Sequence, residues 1–106
     1  MIVSEQEIQE FCNSVVKQFN PEKVILFGSY ARGEQRDWSD VDIMVVMPFE
    51  GNGIDLSVKM RTSIQHEFPL DLITVRPDEL TRRHKEHDPF IGHALGGSRT
   101  LYERNH

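Results

Sequence analysis

Residues 40–47, Asp-Val-Asp-Ile-Met-Val-Val-Met, place two carboxylates at the head of a run that is otherwise apolar. Such a β-branched run, closed by Pro48, reads as a strand with both faces covered. Side chains alternate along a strand, so Asp40 and Asp42 point the same way, followed on that face by Met44 and Val46. Val41, Ile43, Val45 and Met47 form the other face. Two adjacent carboxylates on a largely buried strand repel each other and call for a counter-charge. A cation answers this, and all-oxygen donors favour Mg²⁺ or Mn²⁺. A solvated strand end with two capping acids is the alternative.

The rest of the chain supplies cover for such a strand. Ser4-Glu-Gln-Glu7 has the spacing of a capping box. Ile8, Phe11, Cys12, Val15 and Phe19 follow at helical spacing, which predicts an amphipathic helix over 5–19, stopped by Asn20-Pro21. Lys23-Val-Ile-Leu-Phe27 reads as a buried strand, and Gly28-Ser-Tyr-Ala-Arg-Gly33 as a turn opening a short helix. Residues 34–39 form a polar loop. Leu56, Met60 and Ile64 predict a helix over 54–67, and Leu70–Val75 a third strand. Pro77 starts another helix, residues 88–95 a short one, and Arg99–Glu103 a last, edge strand. The order α-β-α-β-α-β-α-α-β indicates one α/β or α+β domain over 1–106, with a small sheet flanked by helices.

Length and charge narrow the function. The 106 residues suit a single domain with a modest core, so a partner subunit would not be surprising. The net charge is −5, which argues against stable, sequence-independent binding of nucleic acid, because that relies on Lys and Arg. A single nucleotide remains compatible, since a divalent metal supplies positive charge. The acidity is local: residues 1–75 carry −6 and residues 76–106 carry +1. The one cysteine, Cys12, excludes an internal disulfide and a multi-cysteine metal site, and falls on the apolar face of the first helix. No apolar run is long enough to span a bilayer and the start lacks a signal-peptide pattern, so the expected location is the cytoplasm, away from membranes.

Two further features bear on chemistry. Gly28-Ser29 follows an apolar strand directly. Glycine there permits a tight turn and close approach of backbone N–H groups to an anion, the following helix adds its positive dipole end, and the Ser29 hydroxyl can donate to a phosphate oxygen. The same turn also occurs with no ligand. Asp71 lies near the start of the third strand; it is either a strand-edge acid or the third member of a carboxylate cluster with Asp40 and Asp42. Three such carboxylates can hold two metal ions and clamp an in-line phosphoryl displacement.

Gly28-Ser-Tyr-Ala-Arg-Gly33, Ser39-Asp-Val-Asp42 and Asp71 together resemble the minimal nucleotidyltransferases of the DNA polymerase β-like superfamily. The likeness is close over 24–47 and looser over most of the chain, including the ending Gly97-Ser-Arg-Thr-Leu-Tyr-Glu103. It implies the nucleotidyltransferase fold with a small mixed sheet. It also implies that Asp40, Asp42 and Asp71 are the catalytic and metal-binding acids for two Mg²⁺, and that Gly28 and Ser29 meet the β- and γ-phosphates of ATP. Arg32 flanks the turn and can add charge to the phosphates; Arg36 is equally well an exposed surface arginine. The chain lacks the large additional domains of polymerases and antibiotic-modifying relatives. The likeness therefore implies a hetero-oligomer with a small helical HEPN ribonuclease toxin, in which this chain is the antitoxin and transfers AMP from ATP to a toxin tyrosine. A binding-only antitoxin, or a small-molecule nucleotidyltransferase completed by a partner chain, are the alternatives.

Other residues read as scaffold or surface. Packing is the expected role of Tyr30, and Trp38 either shields the site or lies on the surface. His84, His87 and His93 match no standard zinc spacing and are expected to be exposed. Arg82-Arg83-His84-Lys85 reads as a solvated helix face.

Overall fold

The computed structural model describes residues 2–105. They form one α+β domain with the elements α1 (Glu5–Phe19), β1 (Lys23–Phe27), α2 (Gly28–Arg32), β2 (Val41–Val46), α3 (Gly53–Ser63), β3 (Leu70–Val75), α4 (Pro77–Lys85), α5 (Pro89–Leu95) and β4 (Arg99–Glu103). The capping box is formed. The Glu7 N–H donates to the Ser4 hydroxyl and the Ser4 N–H to the Glu7 carboxylate, both at 3.1 Å, which satisfies two otherwise orphaned donors. At the other end Asn20 takes a left-handed conformation (φ 51°), which its short polar side chain tolerates, and α1 stops.

The sheet runs β3-β2-β1-β4. β1 is antiparallel to both β2 and β4, while β2 and β3 are parallel. The sheet is therefore mixed, and β3 and β4 are its edges. The alternation expected for β2 divides the core in two. Val41, Ile43 and Val45, with Val24 and Leu26 of β1 and Leu70 and Leu72 of β3, pack under α1 and Met60 of α3. Met44 and Val46, with Ile25 and Phe27 of β1 and Val75 of β3, meet Ile91 and Ala94 of α5 on the opposite face, with Leu80 of α4 alongside. Each aliphatic side chain buried this way contributes about 1.5–3 kcal/mol relative to exposure, so a sheet covered on both sides holds its strands firmly. Cys12 is buried in the α1 layer, and burial pushes its thiol up to about 11, so it behaves as a small apolar residue.

One expected element is shorter than its periodicity suggests. The helix predicted over 54–67 ends at Ser63. Ile64 keeps its place in the core but does so in extended conformation (φ −115°, ψ 120°). The chain must turn there to enter β3, and Pro69 biases Phe68 away from helix. Phe68 and His66 instead stack against Phe11 of α1, with ring centroids 5.9 and 5.5 Å away. The second strand is also trimmed, to 41–46, which leaves Asp40 just outside it.

Candidate active site

Three strand ends meet at one corner of the sheet. The antiparallel register of β1 and β2 sets Phe27 opposite Asp42, and the parallel register of β2 and β3 sets Asp42 beside Asp71. Asp71 thus shares a face with Asp42 because the two parallel strands pair without offset. Immediately after Phe27 the chain turns at Gly28, whose φ of +73° is open to glycine at no steric cost. This turn brings the Gly28 backbone against the acid: a Cβ placed there would lie 2.0 Å from Oδ2 of Asp42 and 3.0 Å from its Cγ. No larger residue fits without displacing the carboxylate.

The electrostatics follow from this crowding. The Asp42 carboxyl is pushed up from 3.8 to about 6. Partial burial is the main cause, followed by the negative charges of Asp71 and Asp40 and a hydrogen bond with Asp71; the Arg32 guanidinium opposes them. A hydrogen bond between two carboxyl groups requires one of them to carry a proton, so this one is lost as pH rises through about 6 and leaves repulsion behind. Asp40, exposed and one residue before β2, acts on Asp42 through charge. Among the described residues no three acidic, histidine or cysteine side chains are drawn together into a formed metal cage. The corner instead offers an all-oxygen donor set under mutual repulsion, a chemistry that suits Mg²⁺ or Mn²⁺.

The neighbouring residues take distinct places. Ser29 is half-buried in the first turn of α2, whose N-cap, Phe27, has no side-chain acceptor to offer. Arg32 ends α2, and its Nε donates to the Glu34 carboxylate at 2.8 Å. Gly97 (φ +73°) leaves room beside it, since a Cβ there would lie 3.1 Å from Cγ of Arg32. Arg36 is exposed. Its N–H donates to the Ser39 hydroxyl, and the Ser39 N–H donates to its carbonyl, closing the turn before Asp40. Tyr30 is a packing residue, buried against α1, with its hydroxyl accepting the Val3 N–H at 3.1 Å. Trp38 is 78% exposed and shields nothing. His84, His87 and His93 are exposed. The contact of Gly28 on Asp42 and the nesting of Gly97 on Arg32 carry no signal in residue spacing; the Gly96-Gly97 pair was the one hint of the second.

The sequence profile of the nucleotidyltransferase domain matches residues 7–96, most of the chain and every element that builds this corner. The chain belongs to the nucleotidyltransferase domain family. Three proteins of Methanocaldococcus jannaschii provisionally named protein adenylyltransferases are similar to it. One is 29% identical over 92% of this chain and 71% of its own length. Two others are 46% and 44% identical over 40% and 37% of this chain, corresponding to 44% and 50% of their lengths. The chain thus matches about half the length of two of these relatives. The fold is also that of a crystal structure of a provisionally named nucleotidyltransferase from Sulfolobus solfataricus, with a TM-score of 0.66 and 25% identity, covering 93% of this chain and 79% of that one. As a nucleotidyltransferase domain, the chain has its acidic corner at the end of β1 and the starts of β2 and β3. Among the described residues no helix is long and apolar enough to cross a membrane.

Proposed function

We propose that this nucleotidyltransferase transfers AMP from ATP to a hydroxyl of a partner protein. The observation that carries the reading is the corner itself. Asp42 and Asp71 are locked side by side by strand register, Asp40 adds a third charge, and Gly28 is held against Asp42. The names of the Methanocaldococcus relatives favour protein as the acceptor.

In this reading Asp40, Asp42 and Asp71 would hold Mg²⁺, which would neutralise phosphate charge and lower the pKa of the acceptor hydroxyl. Gly28 and Ser29 face the β- and γ-phosphates with backbone N–H groups and the Ser29 hydroxyl. Arg32 exchanges its Glu34 partner for phosphate oxygen, a stronger bidentate match for a guanidinium. The acceptor oxygen bonds to the α-phosphorus as the bond from that phosphorus to the bridging oxygen breaks. Pyrophosphate leaves, and the hydroxyl proton passes to Asp71. The resemblance to minimal nucleotidyltransferases favours a HEPN-type toxin tyrosine as acceptor, with this chain as the antitoxin.

The test is thermal unfolding with ATP in Mg²⁺ or in EDTA. A ligand of the native state must stabilise it, by about 2.7 kcal/mol at a hundredfold excess over Kd. The reading expects a Mg²⁺-dependent rise in Tm with ATP that Asp42→Asn removes. No rise at saturating nucleotide would refute it.

A further inference from the structure

We propose that the open edge of β3 is the docking groove for the acceptor, and that it takes an extended protein segment carrying acidic and apolar side chains. The inference rests on the transfer reading for the occupant's role and names the surface that receives it.

A groove of about 550 Å³ runs along β3 between the helical layers, with α3 on one side and α4 and α5 on the other. Its walls carry exposed apolar side chains together with charged ones. Among the described residues five large hydrophobic side chains are exposed, and three of them line this one groove: Ile54 at 72%, Val58 at 50% and Phe90 at 48%. Their gathering in one groove offers apolar contact to a partner, and the charge around them says of what kind. Ile54 and Val58 sit four apart on α3, with Arg61 three further on, so all three share one helix face.

The groove's charge runs against that of the chain. Arg61, Arg76 and Arg83 line it with one acid, Glu79, in a protein of net charge −5. Arg83 is paired with Glu79 and Asp88, at 3.7 and 3.1 Å. The other two guanidiniums keep uncompensated charge. Arg76 donates to the neutral carbonyls of Phe49 and Gly51, at 2.9 and 2.6 Å, and lies over the Phe49 ring. Arg61 has no ion-pair partner among the described residues. Charge complementarity therefore selects an acidic occupant.

Position makes the occupant an acceptor rather than a remote ligand. Ile73, in the groove, shares a strand face with Asp71 two residues away, a separation of about 7 Å along the strand. Phe90, which lines the groove, meets edge-on at 6.2 Å the ring of Phe27, the residue before Gly28. A separation of about 7 Å between Ile73 and Asp71 is within the length of a tyrosine side chain reaching from a segment laid in the groove.

Fluorescence anisotropy with two labelled peptides tests this. One alternates Glu and Leu around a single Tyr; the other replaces each Glu with Lys. The acidic peptide is expected to bind at least tenfold more tightly than the basic one. Arg61→Glu and, separately, Val58→Glu should each weaken it about tenfold while leaving the Mg-ATP thermal shift and the circular dichroism spectrum unchanged. Asp42→Asn should leave peptide binding intact and abolish labelling of the peptide's tyrosine from α-labelled ATP. Equal binding of the two peptides, or wild-type affinity in both groove variants, overturns the groove. So does a dimer in sedimentation that Arg61→Glu converts to monomer, which makes the groove an interface between copies. Selective peptide binding without tyrosine labelling by the wild type leaves an acidic-segment groove standing and overturns its role as the acceptor site. Loss of the Mg-ATP shift in the wild type counts against the transfer reading and not against the groove.

Discussion

Replacing Asp42 by Asn separates folding from function, and its size can be worked from the crowding around the carboxylate. The folded protein holds Asp42 at about 6 against 3.8 unfolded. Each pKa unit corresponds to about 1.36 kcal/mol, so the full shift is worth about 3 kcal/mol. Asp42 is only half-buried and water screens part of the repulsion, which reduces the expected effect to about 1–2 kcal/mol. The sign follows from proton binding. Below pH 4 the group is protonated in both states and contributes nothing. Between pH 4 and 6 the folded state keeps a proton that the unfolded chain has lost, so stability falls as pH rises. Above pH 6 the folded state carries the whole repulsion. An Asn at this position is neutral throughout and close in shape. In EDTA, urea unfolding at pH 7.5 should therefore show Asp42→Asn more stable than wild type by about 1–2 kcal/mol, with the gap closing near pH 4. Mg²⁺ should narrow the gap at pH 7.5 by stabilising the wild type alone. An Asn variant no more stable than wild type at pH 7.5, or one equally stabilised at both pH values, would refute the account of the corner.

Three other outcomes follow from the same structure. Gly28→Ala should cost about 2 kcal/mol or more in urea unfolding, from left-handed strain and the clash with Asp42, and should abolish nucleotide-dependent stabilisation. Asp71→Asn removes a neighbouring negative charge and a hydrogen bond to the protonated partner, so the Asp42 carboxyl followed by carbon NMR should titrate below 6 while burial still holds it above the ordinary carboxylate range. Ser4→Ala breaks the capping box far from the corner and should lower stability by about 1 kcal/mol while leaving the Mg-ATP shift intact, measured by paired melts with and without ligand.

How far the sequence could be read depended on whether the controlling interactions were local. α1 was legible to the residue because the capping box, the apolar spacing and Asn20-Pro21 all lie within the segment. β2 was legible because alternation over 41–46 assigns each side chain to a face, and the two faces became the two halves of the core. The end of α3 was not legible. Ile64 fits the helical spacing and is buried, yet the need to enter β3 and to stack His66 and Phe68 on Phe11 overrode the period. The acids of the corner could be picked out individually, and their meeting stood as one of two readings of Asp71, the one the family resemblance implied. The pairing of Asp42 with Asp71 depends on a parallel register set by packing across the sheet, and the closeness of Gly28 to Asp42 on the turn after an antiparallel neighbour. The groove along β3 was invisible for the same reason, since Ile54, Val58, Arg61 and Phe90 come together only when α3 and α5 lie on opposite faces of one edge strand.

The central claim is that this corner moves a nucleotide. Its most direct test is mass spectrometry of a HEPN-type partner after incubation with the purified chain, Mg²⁺ and ATP. The account predicts one adenylate added to a partner tyrosine, dependent on Mg²⁺ and absent with Asp42→Asn. A partner that is bound and neutralised by the wild-type chain yet gains no mass would contradict it.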